Sequence, residues 1–98
     1  MTKTNSDAAD DHVADADAFF ARLVRELFEQ AVGHDEFSDD DSFFYIGGDS
    51  LSGLRVTRQL GQAVGGHVAM RALFDHPTVG SLSAYAAGLA AGVQADRS

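Results

Sequence analysis

No cysteine occurs anywhere in the 98 residues. Disulfides, thiolate catalysis and cysteine-ligated zinc are therefore excluded, and a reducing, cytoplasmic setting is the simplest expectation. No apolar run approaches the roughly 18–20 residues that a membrane helix needs. The opening stretch, Met1 to Asp11, is polar and acidic, unlike a signal or transit peptide. Basic residues are scarce: seven Lys and Arg against fifteen Asp and Glu leave a net charge of −8. That balance argues against a nucleic-acid partner. Strand-like alternation, internal repeats and Walker-type or dinucleotide glycine patterns are all missing. The four histidines (His12, His34, His67, His76) lack metal-ligand spacing, and Asp35 to Asp41 lacks the glycine and terminal glutamate of a calcium loop. No metal site is expected.

What is present suits one small folded domain. Apolar residues make up 45% and charged residues 22% of the chain, close to globular averages. The charge is unevenly spread. Residues 1–41 hold twelve acids against three bases, whereas residues 42–98 hold three acids against four arginines, nearly neutral. The surface presented by the second half therefore carries arginines rather than carboxylates.

Residues 1–14 show no apolar period and read as a mobile acidic tail. Phe20, Leu23, Val24, Leu27, Phe28 and Ala31 then follow helical spacing, which predicts a helix over about 16–32. Asp15 or Asp17 could cap its start and Gly33 its end. From Gly33 to Asp49 there are seventeen residues without a sustained period. A loop that long in a small domain is often functional. It ends in Phe43-Phe44-Tyr45-Ile46, four bulky apolar residues expected to return to the core, followed by Gly47-Gly48 at a sharp turn.

Asp49-Ser50 opens a second helical segment that Gly65-Gly66 closes. Gly53, Val56, Thr57, Leu60 and Val64 form its core face. Leu51, Leu54, Arg55 and Arg58 lie on another, where the leucines either pack under the long loop or dock a partner. A short helix is predicted over 70–75, ended by His76-Pro77. Thr78 can cap a fourth helix buried through Val79, Leu82, Ala86 and Leu89, although Ser81 stands where Glu or Gln would complete a capping box. Residues from Gly92 onward should fray. The expected class is all-α: a bundle of three main helices and one short one, with a long loop after the first.

The candidate site is Gly47-Gly48-Asp49-Ser50-Leu51. A serine at a helix N-terminus holds its hydroxyl clear of the backbone, and a phosphate attached to it would sit near the positive end of the helix dipole. Asp49 or Ser50 could equally be a mere cap. Gly-Asp-Ser-Leu is also found around the nucleophile of a hydrolase family. Such an enzyme needs a base, an orienting acid and an oxyanion hole on a larger scaffold, and this chain has no strands to build it. No catalytic residues are assigned.

The segment Asp41-Ser42-Phe43-Phe44-Tyr45-Ile46-Gly47-Gly48-Asp49-Ser50-Leu51 closely resembles the core motif of carrier proteins from nonribosomal peptide synthesis. Arg71-Ala72-Leu73-Phe74-Asp75-His76-Pro77-Thr78-Val79 resembles their segment between helices 3 and 4, at matching spacing. The resemblance covers about residues 17–90. It implies a four-helix carrier domain over 15–91, flanked by the tail 1–14 and a flexible C-terminal tail 92–98. It further implies that a phosphopantetheinyl transferase attaches 4′-phosphopantetheine from coenzyme A to Ser50, within a motif of Gly47, Gly48, Asp49 and Leu51. The arm's thiol would then carry an aminoacyl, peptidyl or aryl group as a thioester. An adenylating enzyme would load it, and condensation or tailoring enzymes would receive it, with no catalysis by the carrier. By the same resemblance Leu51, Leu54, Arg55, Arg58, Met70, Arg71 and Phe74 form the partner-docking face of a monomer that binds neither nucleic acid nor membrane. Asp49 replaces the histidine common in peptidyl carriers, and Ile46 and Gly53 replace Leu and Ala. The alternative is a polyketide-type acyl carrier. Those carry a strongly acidic helix 2, whereas residues 50–64 contain Arg55 and Arg58 and no acid. Met1 at the start and soft tails at both ends suggest a free-standing carrier.

Overall fold

The computed structural model describes the backbone of residues 2–97 and the side chains of residues 17–92. Four helices follow one another: α1 (Thr2–Val32), α2 (Ser50–Val64), α3 (Met70–Asp75) and α4 (Val79–Arg97). No strand occurs among the described residues. Helix α1 packs most extensively on α4, and α2 lies against both, with α3 leaning on α2. No helix among the described residues is long and apolar enough to cross a membrane.

The apolar stripe of α1 is buried as its spacing requires: Phe20, Val24, Leu27 and Phe28 are in the core, and Leu23 and Ala31 pack against it. The helix itself begins earlier than the stripe does, at Thr2. Positions 15 and 17 therefore lie inside it and not at its start; once a helix is nucleated, extension needs no apolar face. The expected tails over 1–14 and 92–98 fall almost wholly on residues whose side chains lie outside those described. Gly33 ends α1 at φ +84°, its N–H donating to the Glu29 carbonyl at 2.8 Å. Gly65 ends α2 in the same left-handed region, at φ +75°, and Gly66 N–H reaches back to the Gly61 carbonyl at 3.0 Å. Both are positions where a Cβ would be strained.

The core face of α2 is the expected one, with Gly53, Val56, Thr57, Leu60, Gly61 and Val64 buried. Thr57 satisfies its hydroxyl by donating to the Leu54 carbonyl at 3.1 Å, so its burial leaves no orphaned polar group. At the start of α4 one expectation is corrected. Ser81 completes the box after all: its hydroxyl accepts from Thr78 N–H at 3.2 Å while Thr78 Oγ1 accepts from Ser81 N–H at 3.0 Å. A serine side chain is short, yet at this backbone geometry it reaches the cap amide. His76 leaves the helical region, at φ −131° and ψ 72°, as a residue before proline must.

The long loop is irregular but fixed. Phe37 and Phe43 enter the core beside Phe28, with ring centroids 6.3 and 4.8 Å from it. Arg25 on α1 holds the loop's first half: it pairs with Asp39 at 3.0 Å, donates to the Phe37 carbonyl at 2.8 Å, and lies 4.5 Å above the Phe37 ring. Further along, Phe43 N–H donates to the Pro77 carbonyl, at 2.6 Å. Gly80 N–H donates to the Asp39 carbonyl at 3.1 Å, tying the loop to α4.

Of the four bulky residues expected to enter the core, only some do. Phe43 is fully buried and Phe44 and Ile46 are half-buried, but Tyr45 is 86% exposed. The reason is local. Tyr45 N–H and Ile46 N–H both donate to the Ser42 carbonyl, at 3.0 and 3.1 Å, so the chain makes one helix-like turn there. Successive side chains in such a turn point about 100° apart and cannot all face one way.

Candidate functional site

Ser50 is the first residue of α2, and the loop delivers it there through Gly47 and Gly48. Gly47 adopts φ +121°, which side-chain-bearing residues rarely do. Gly48 is required by close approach: a Cβ there would collide with the ring of Phe43. Its own N–H donates to the Phe43 carbonyl at 2.9 Å. The buried aromatic ring is thus the floor on which the turn into α2 rests.

The cap of α2 is made by Asp49, not Ser50. Asp49 is extended, at φ −136°, and its carboxylate accepts from Ser52 N–H at 2.9 Å, while Ser52 Oγ accepts from Asp49 N–H at 3.0 Å. These bonds hold the exposed Asp49 carboxyl below its ordinary pKa, first through the Ser52 N–H and then through the Ser52 hydroxyl. Ser50 is exposed and takes part in no side-chain hydrogen bond among the described residues. Its hydroxyl is released from structural duty by its neighbours. Ser52, two residues on, is fully engaged with Asp49.

Around Ser50 the surface is apolar with arginines. Leu51 is 71% and Leu54 43% exposed, so neither packs under the loop. Phe74 of α3 is 55% exposed and stacks on Phe44 with centroids 4.9 Å apart and planes 7° from parallel. Arg55 and Arg58 are exposed with no carboxylate partner among the described residues, whereas Arg71 pairs loosely with Asp75 at 3.6 Å. Leu54, Arg58 and Met70 line one shallow groove between α2 and the segment leading into α3. Met70 is half-buried: a Cβ on Gly53 would meet its terminal methyl at 2.9 Å, so it also covers the α2–α3 contact. Sequence reading missed Tyr45 as part of this outward surface. A turn-forming serine at position 42 was the available signal.

Residues 22–86 match the family described as "Phosphopantetheine attachment site". The chain belongs to that family. It is a carrier-protein domain, and the group that such domains hold covalently is 4′-phosphopantetheine. The chain is 41% identical over 70 residues to malformin synthetase mlfA of Aspergillus luchuensis (strain CBS 106.47), covering 69% of this chain and 1% of the synthetase. Against the dimodular nonribosomal peptide synthase of Bacillus subtilis (strain 168) it is 37% identical over 63 residues, covering 64% of this chain and 3% of the relative. The chain thus spans a few per cent of the length of the curated relatives it matches. Among solved structures, the complex of the phosphopantetheine transferase Sfp with coenzyme A and a peptidyl carrier protein superposes with a TM-score of 0.65. The identity there is 28%, covering 70% of this chain and 90% of that one.

The residues present fit the group. The Ser50 hydroxyl is exposed and unused by the cap, so a group attached there would displace no structural bond among the described residues. One feature of the helix N-terminus differs from a simple anion site. The Asp49 carboxylate already takes the Ser52 N–H, so a phosphate on Ser50 would share the positive end of α2 with a cap that is itself anionic.

Proposed function

We propose that Ser50 carries a covalent 4′-phosphopantetheine arm, and that this carrier uses the arm's thiol to hold an aminoacyl, peptidyl or aryl group as a thioester during nonribosomal peptide assembly. The observation that carries the reading is the division of labour at the start of α2: Asp49 and Ser52 make the cap, and Ser50 is left exposed inside the family motif. In the modification Ser50 Oγ attacks the pyrophosphate of coenzyme A, bonding to the phosphorus nearer the pantetheine and releasing adenosine 3′,5′-bisphosphate. A base in the transferase takes the proton, since no side chain among the described residues is hydrogen-bonded to the Ser50 hydroxyl.

The chain itself catalyses nothing in this reading. It is the substrate of a phosphopantetheinyl transferase, then of an adenylating enzyme, and it presents its cargo to condensation or tailoring enzymes in the cytoplasm. Leu51, Leu54, Phe74 and Arg58 form the docking face, with Met70 and Arg71 at its edge and Arg55 on the side of α2 that meets Leu27 and Ala31 of α1. The absence of any acid over residues 50–64 favours the peptidyl type over the polyketide type. The experiment is to convert the protein with coenzyme A and a broad-specificity transferase, then offer it separately to adenylating enzymes with ATP and amino or aryl acids, and to a malonyl transferase. An amino- or arylacyl thioester found by intact mass supports the reading. Loading by the malonyl transferase alone contradicts it.

A further inference from the structure

We propose that His34 is a positioning residue for the modification of Ser50: it clasps the two ends of the long loop together and so holds the Gly47-Gly48 turn in the form that a modifying enzyme meets. The proposal rests on Ser50 being the modified residue. His34 stands just past the end of α1. Its Nδ1 accepts from Glu36 N–H at 3.0 Å, and its Nε2 lies 2.8 Å from the Ile46 carbonyl, twelve residues on. A backbone N–H can only donate and a carbonyl can only accept. The two contacts together therefore require the neutral imidazole with its proton on Nε2, donating to Ile46. The ring also meets Phe37 edge-on, with centroids 5.9 Å apart.

The position of this clasp matters more than its strength. Ile46 immediately precedes Gly47, which sits at φ +121° against α1, where an added Cβ would be 3.8 Å from that of Val32. The other ties act elsewhere. Arg25 fixes residues 35–39, and the Phe43 amide is held by Pro77. Without the clasp, the Ile46 carbonyl loses its partner, and the turn between Ile46 and the Asp49 cap is held only from the Phe43 side, by the Ile46–Ser42 and Phe43–Gly48 bonds. Part of the ordering of that turn then falls to the docking step, which weakens the encounter without changing the attack once docked.

The test measures phosphopantetheine attachment by a broad-specificity phosphopantetheinyl transferase with coenzyme A, read by intact mass, below each variant's melting transition. Three variants are compared with wild type: His34→Ala, His34→Asn and His34→Gln. Glutamine places an amide N–H near the Nε2 position; asparagine reaches only the Nδ1 position. His34→Ala and His34→Asn should raise KM about three- to tenfold, the scale that one hydrogen bond sets, with kcat unchanged. His34→Gln should stay within about twofold of wild type, on the same scale. A merely structural histidine would lower the melting temperature but leave KM of the folded protein alone. Should His34→Ala fail to fold, the contrast between His34→Gln and His34→Asn decides. Wild-type KM in His34→Asn, or a His34→Gln variant as impaired as it, overturns the clasp. A wild type that is never modified contradicts the carrier reading at Ser50 and takes the clasp with it.

Discussion

Helix α2 and the loop before it converge on Ser50, yet they are ordered by different means. The helix is ordered locally: a cap at Asp49, a left-handed glycine at its end and a 3.6-residue stripe that sinks Val56, Leu60 and Val64. The loop has no such pattern. It is held by contacts between residues far apart in sequence: Arg25 with Phe37 and Asp39, His34 with Ile46, Phe43 with Pro77. A locally ordered element tolerates change on its outer face. An element ordered by a few distant ties can be displaced by the loss of one.

The largest expected effect tests that difference in the core. Phe43→Ala and Leu60→Ala both empty fully buried sites and should cost about 3–5 and 2–5 kcal/mol by denaturant unfolding. Only Phe43→Ala should also slow modification of the fraction that remains folded, because Gly48 rests on its ring. Equal effects of the two variants on modification would dissolve the distinction. Gly48→Ala comes next. Its methyl group must push aside a rigid, buried ring, so about 1–3 kcal/mol should be lost. The same change at the exposed Gly66, where a Cβ meets nothing within 4 Å, should lose less.

On the outer face of α2 the helix should prove tolerant. Leu54→Asp removes an exposed leucine and should shift stability by no more than about 0.5 kcal/mol. Loading of the converted protein by its adenylating enzyme should nevertheless fall, as circular dichroism melts run beside a loading assay would show. An unfolded Leu54→Asp variant would mean that this face is structural. The cap supplies the last contrast. Asp49→Ala should lower the melting temperature by about 2–5 °C, and Ser50→Ala by less, since Ser50 does not cap. Because Asp49 titrates below its unfolded value, the cap is fully present above the ordinary carboxylate range and is lost as pH falls through the lowered value. Asp49→Asn should keep the cap and remove that pH dependence.

The same contrast explains what could be read in the sequence. The stripes of α1, α2 and α4 were legible because burial repeats with the helix period, and α3 because proline marks its end. Ser50 and its glycines were legible because the motif is short and contiguous. Tyr45 was not, because hydropathy cannot show that Ser42 starts a turn. Phe37, the Arg25 network and the His34 bridge were not, because nothing local marks two residues as partners across a loop. The roles of Asp49 and Ser50 stayed ambiguous for a related reason. Both residues favour caps, and only the backbone geometry assigns the duty to Asp49.

The hydroxyl of Ser50 is left free because Asp49 and Ser52 do the structural work at the start of α2. The most direct measurement is the intact mass of wild type and Ser50→Ala after incubation with coenzyme A and a broad-specificity phosphopantetheinyl transferase, beside their melting curves. One phosphopantetheine is expected on wild type and none on Ser50→Ala, with nearly superimposable melts. An alanine variant that still gains the group, or a folded wild type that never does, would contradict that expectation.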